Sequence, residues 1–304
     1  MPNLRVFARE ATAQALRLSG APALMRRAHR RGCATILFYH DPKPAVLDAH
    51  LGYLRRHHHF TTLDAIVRAL ERDDFSDLPD HAVAVTFDDG HRGNYDLLPV
   101  FRRHGLVPTI YLVSQVVGTG RRFWFQLPGS DSEPYKDLSN AERLVRLRRD
   151  TGFEQEREYP LAERQALSDA EIDEMAPFVD FQVHTRFHPI LTQCSDEEAW
   201  EEIAASKREL EERLGRECRH FSYPNGDFGA RDRELARKAG FASARTIAPG
   251  WANALSDPFA LPCFGITDGA SLRILAAQLS GIPTYIRSHT VGIRNPGPWQ
   301  PAMP

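Results

Sequence analysis

Asp88 and Asp89 stand side by side at the end of the apolar segment Val83-Ala84-Val85-Thr86-Phe87, with Gly90 behind them. Adjacent carboxylates repel each other unless a cation or a proton sits between or beside them. Proteins carry that cost where a metal or a proton is handled. Val83, Val85 and Phe87 alternate, which predicts a strand with an apolar face, and Gly90 lets the backbone turn as the strand ends. Asp-Asp-Gly is also an ordinary turn sequence, so the meaning of the pair depends on what else the chain supplies.

Three further segments have the same form. His184-Thr185-Arg186-Phe187-His188-Pro189 follows the apolar run at 181–183. Two histidines four apart suit one metal ion, from a helix or from a tight loop. Pro189 disfavours helical backbone at His188, so a loop leaving a strand is predicted. Thr185 stands where the zinc-protease helix signature needs glutamate, which excludes that signature. His220-Phe221-Ser222-Tyr223-Pro224-Asn225-Gly226 reads as a strand running into a Pro/Gly turn, whose exposed N–H groups can stabilise an oxyanion. Ile36-Leu37-Phe38-Tyr39-His40-Asp41-Pro42 delivers His40 to a strand end, and histidine is the side chain suited to general acid work near neutral pH. Each segment sets its polar group where a strand ends. In a parallel barrel those ends share one rim, the usual active-site face.

The elements that must position these groups alternate along the chain. Strands are predicted at 34–40, 82–87, 109–114, 181–185, 219–224 and 242–246, and helices at 47–56, 63–70, 94–104, 140–150, 169–175, 196–214 and 231–239. Strand and helix in alternation predict parallel strands joined by right-handed crossovers, closed or nearly closed into a barrel. Residues 118–180 read as a long excursion within a domain spanning 32–290. Residues 1–31 form a basic leader with seven arginines and one acid, broken near Gly20 and Pro22, and residues 291–304 form a Pro-rich tail. The leader reads as a helix packed on the body, with an interfacial helix for anionic lipid or a docking element for a partner as the functional alternatives.

Across 304 residues the net charge is −2, which excludes a globally basic nucleic-acid binder, and no run approaches the length of a membrane span. The four cysteines are scattered without a close pair, so zinc-ribbon and redox patterns are absent and unpaired thiols are expected. No signal-peptide core is evident, and the expected location is the cytoplasm or the cytoplasmic face of a membrane. Some residues keep two readings. Trp124, within Phe123-Trp124-Phe125, and Trp251 are each a sugar platform or a core aromatic, and Tyr223 is a further substrate-contact candidate. His57-His58-His59 reads as a solvated turn, and the acids around 197–212 as a solvated helix face.

Taken together, these segments resemble the polysaccharide deacetylase family, the NodB-homology carbohydrate esterases. Thr86–Gly90 matches the first family motif, and Thr185, both histidines and Pro189 match the second. The likeness runs from about Ala34 to about Asp268. The opening Tyr39-His40 strand resembles the permuted branch that includes poly-N-acetylglucosamine and capsule-locus deacetylases. The resemblance implies an irregular (β/α) barrel of about seven parallel strands. It implies Asp89, His184 and His188 as ligands of a divalent metal, zinc by preference, Asp88 as general base, His40 as general acid and the Asn225 N–H as oxyanion donor. The substrate it implies is an acetylated carbohydrate, N-acetyl before O-acetyl. Ser222 and Cys263 stand where many relatives carry arginine, which leaves Asp88 without an evident cationic partner. Two alternatives follow: a glycan-binding homologue with little turnover, and an amidase acting on a small acyl amide.

Overall fold

The computed structural model describes residues 4–28, 31–127 and 129–282. The strands are β1 (Cys33–Tyr39), β2 (His59–Phe60), β3 (Ala82–Phe87), β4 (Thr109–Leu112), β5 (Asp180–Val183), β6 (His220–Ser222), β7 (Ser243–Arg245), β8 (Ala252–Asn253) and β9 (Phe264–Gly265). They form one sheet in the order β7-β6-β5-β4-β3-β1-β8, with β2 beside β3 and β9 beside β1. Only the pairing of β8 with β1 is antiparallel. β3 and β4 are buried along their whole length, as the near-continuous apolar runs of a covered parallel sheet require.

Leu261 N–H donates to the Ala244 carbonyl and the Leu261 carbonyl accepts from Thr246, while β9, three residues on, pairs with β1. One short segment thus ties β7 to β1 and curls the sheet into an irregular barrel. The helices are α1 (Leu4–Leu18), α2 (Ala21–Ala28), α3 (Pro44–His57), α4 (Leu63–Glu71), α5 (Leu98–His104), α6 (Asn140–Thr151), α7 (Asp169–Met175), α8 (Asp196–Leu214), α9 (Ala230–Lys238) and α10 (Leu272–Gln278). A main apolar core joins Leu37, Val85, Phe87, Ile110, Phe181 and Phe221 of the sheet to Leu51, Phe101, Ile203 and Leu275 of the helices.

The six predicted strands are all present, and β2, β8 and β9 are additional. Each of those three has two residues, too few for a periodic pattern to register. The histidine tract corrects its expectation. His58 is buried, while His59 stays exposed in β2 with its ring bonded to the Asp80 carbonyl, because β2 pairs with β3. Residues 291–304 lie outside the described residues.

Candidate active site

Backbone strain marks the rim. Among the described residues six non-glycine positions have positive φ, and four of them are Asp89 (72°), Thr185 (65°), His188 (59°) and Asn225 (58°). Such positions cost energy and persist where the surroundings over-determine them. Gly90 follows at φ 69°, where a Cβ would meet Leu112 Cδ2 at 2.6 Å, so the turn admits no side chain there. The loop from His184 to His188 is not helical, in keeping with Pro189. The Arg186 and Phe187 N–H groups donate to Glu202 Oε2 at 2.8 and 3.0 Å, His188 N–H donates to Thr185 Oγ1 at 3.0 Å, and Trp124 Nε1–H to the His188 carbonyl at 2.8 Å.

These bonds bring three side chains to one point. Asp89 Oδ1 lies 3.4 Å from His184 Nε2 and 3.3 Å from His188 Nε2, and all three residues are buried. Donors on a tetrahedral ion with bonds of about 2.1 Å stand about 3.4 Å apart, so both Asp89 separations fit one zinc-sized cation, and the three ligand atoms all lie within 4.8 Å of one another. His184 Nδ1–H donates to the Ser222 carbonyl at 2.8 Å, which turns Nε2 toward Asp89. Burial pushes the His188 pKa down to about 3, so this imidazole is neutral. Asp89 Oδ1 is a buried oxygen without a hydrogen-bond donor. Burial alone would raise the Asp89 pKa; the surrounding histidines overcome it and hold the carboxyl well below its usual range. Lone pairs converging with an unsatisfied carboxylate oxygen are what a cation completes. The other oxygen, Oδ2, lies 2.9 Å from Nε2 of buried His91, a residue the sequence reading passed over.

Asp88 has a partner that sequence reasoning missed. The Arg245 guanidinium, buried at the end of β7, donates to both Asp88 oxygens and, at 2.7 Å, to Ser222 Oγ. It lies over the Phe38 ring at 4.6 Å, and Nη1 donates to the Thr246 carbonyl at 3.0 Å. Burial raises the Cys263 pKa to about 11, so this thiol adds no negative charge beside the pair. The available signal was an arginine inside an otherwise small and apolar strand segment, 242–246.

His40 is exposed on the same rim. Its N–H donates to Asp268 Oδ1 at 3.1 Å and its carbonyl accepts from Asn94 Nδ2 at 2.8 Å, which fixes the backbone and leaves the ring facing the pocket. A cavity of about 480 Å³ gathers His40, Asp88, Asp89, His184, His188 and Asn225 in its lining. The excursion after β4 supplies another wall with Trp124, Phe125, Gln126, Ser132 and Lys136, and Phe125 packs its ring 4.5 Å from His188. Two substrate-contact expectations are corrected. Tyr223 is buried, stacked on Phe228, with its hydroxyl bonded to the Phe259 carbonyl. Trp251 lines a separate cavity of about 270 Å³ with Pro249 and Pro262, because the chain after Ile247 turns away from the pocket.

A curled parallel sheet carrying histidines and paired carboxylates on one rim defines a class of hydrolytic (β/α) barrels, and comparison narrows it. The polysaccharide deacetylase family model matches residues 76–244, more than half of the chain. The chain belongs to the polysaccharide deacetylase family. In fold it is similar to the deacetylase PplD of Streptococcus pyogenes, solved with acetate, at 18% identity over 82% of this chain and 99% of that one, with TM-score 0.61. IcaB from Ammonifex degensii is similar at 21% identity over 83% and 98%, with TM-score 0.61. The BpsB deacetylase domain from Bordetella bronchiseptica is similar at 14% identity over 78% and 96%, with TM-score 0.57. No curated protein sequence matches the chain.

Proposed function

We propose that this chain removes acetyl groups from an N-acetylated carbohydrate by hydrolysis, with a divalent cation held by Asp89, His184 and His188. The observation that supports this most is the convergence of three ligand atoms beside an arginine-held carboxylate in one pocket. The donor set, two imidazoles and a carboxylate, suits zinc. When bound, the cation acidifies water and polarises the acyl oxygen.

The chain's own residues supply the rest. Asp88 accepts the proton of the attacking water, and Arg245 holds its carboxylate in place. The Asn225 N–H, on a strained turn at the pocket wall, donates to the oxygen on which charge develops. His40 gives a proton to the departing nitrogen as the C–N bond breaks. Water oxygen ends in acetate and the sugar leaves as an amine. Half-buried Phe125 presents apolar surface to a sugar ring, while Trp124 lies buried behind the wall with Leu127, Tyr135 and Leu147, the core-aromatic reading of the two expected for it.

The low-turnover alternative rested on an absent cation beside Asp88, and Arg245 removes that motive. The test is acetate release from N-acetylated chito-oligosaccharides, O-acetylated glycans and small acyl amides, with and without added zinc after chelation. Zinc-dependent release from the N-acetylated sugars is expected. Glycan binding without acetate, or release from the small amides alone, would contradict the proposal.

A further inference from the structure

The far end of the barrel carries a surface that deacetylation does not use. α3 begins four residues after the pocket residue His40 and ends at His57, about 20 Å away along the helix. Around that end, Leu18 and Leu24 flank the α1–α2 turn at 74% and 68% exposure. Phe7, 70% exposed, lies eleven residues before Leu18, about three turns along the same face of α1. Ala11 and Ala15 between them are exposed as well, so the outward face of α1 is an apolar stripe.

Cations frame it. Arg17, Arg27, Arg55 and Arg56 are exposed and Arg26 is half-buried. The charges of Arg26, Arg56 and Arg17, after burial, depress the pKa of His57, which brings α1, α2 and the end of α3 into one basic patch. None of these five arginines pairs with a carboxylate among the described residues. The one acid of the leader, Glu10, is turned inward and accepts from the Ser271 hydroxyl at 2.9 Å.

We propose that this face docks the chain on an anionic lipid bilayer, its apolar side chains entering the headgroup boundary and its arginines meeting lipid phosphates. A protein partner would have to supply several carboxylates around exposed leucines, whereas an anionic bilayer offers acyl chains and phosphates together. No helix among the described residues is long and apolar enough to cross a membrane, so the contact lies on the surface.

The experiment is co-sedimentation of the purified full chain with phosphatidylcholine vesicles, with and without phosphatidylglycerol. Binding is expected only with phosphatidylglycerol, weakening as salt rises. Replacing Arg17, Arg55 and Arg56 by Gln should weaken it roughly fivefold per residue. The pair Leu18→Ser and Leu24→Ser should weaken it roughly tenfold or more. Acetate release from soluble oligosaccharide should be the same in all variants, which separates failure of this face from failure of the catalytic reading. The proposal is overturned by no vesicle binding, by binding that ignores both sets of substitutions, or by a soluble homo-oligomer that the leucine variants dissolve.

Discussion

Arg245 and Asp88 are 157 residues apart in the chain, yet a single guanidinium holds both carboxylate oxygens in the interior. Removing one member of a buried pair strands the other, at about 3–5 kcal/mol. Arg245→Met should therefore lower both thermal stability and acetate release, the latter by about a hundredfold or more, while zinc stoichiometry stays at the wild-type value. Loss of zinc in that variant would place Arg245 in the ligand network instead. His91 acts on the neighbouring carboxylate, holding Asp89 Oδ2 so that Oδ1 faces the imidazoles. Outer partners of metal ligands carry about 10–100-fold in metal affinity. His91→Phe should show that loss in a chelator competition, and His91→Gln, which keeps a donor, should recover part of it. Equal affinities in wild type and His91→Phe would rule out this role. At this scale the motifs were legible because Asp88, Asp89, His184 and His40 each follow a strand end, with His188 on the loop that leaves β5. Arg245 was hidden because its partner is distant in sequence, and Tyr223 and Trp251 were misplaced because aromatic type does not tell core from pocket.

At the scale of elements, α8 is more than a solvated acidic helix. Glu202 is buried and accepts two N–H groups of the His184–His188 loop, and Glu209 pairs with Arg186 at 2.9 Å and accepts from Ser114 at 2.6 Å. Burial raises the Glu202 pKa from 4.5 to about 7. A carboxyl raised in this way stabilises the folded state fully below about pH 4.5, where both states hold the proton, and loses that contribution as pH climbs through about 7. Glu202→Gln keeps an acceptor without the titration. The thermal midpoint of wild type relative to this variant should fall between about pH 4.5 and 7; parallel curves would remove Glu202 as the cause. The main strands and α3 to α9 were legible from periodicity. β8 and β9 were not, since each is held by pairing with β1 rather than by a pattern of its own.

At the scale of the molecule, the barrel separates two ends of different character: a pocket of histidines and carboxylates, and a basic, apolar face at the α1–α2 turn. Barrel topology was readable from alternation and the basic leader from its arginines, but the full patch was not, since Arg55 and Arg56 join it only through the packing of α3. A cation that binds only the folded chain stabilises it by mass action, about 2.7 kcal/mol at a hundredfold excess over Kd. Chelation should lower the melting temperature of wild type and leave His184→Ala unmoved. The most direct test of the whole account is the zinc content of wild type beside Asp89→Ala, His184→Ala and His188→Ala, each folded by circular dichroism. A single zinc per wild-type chain, lost from every one of the three variants together with acetate release, is the predicted result. Full zinc retained in any of them, or acetate release that survives its loss, would contradict a shared centre.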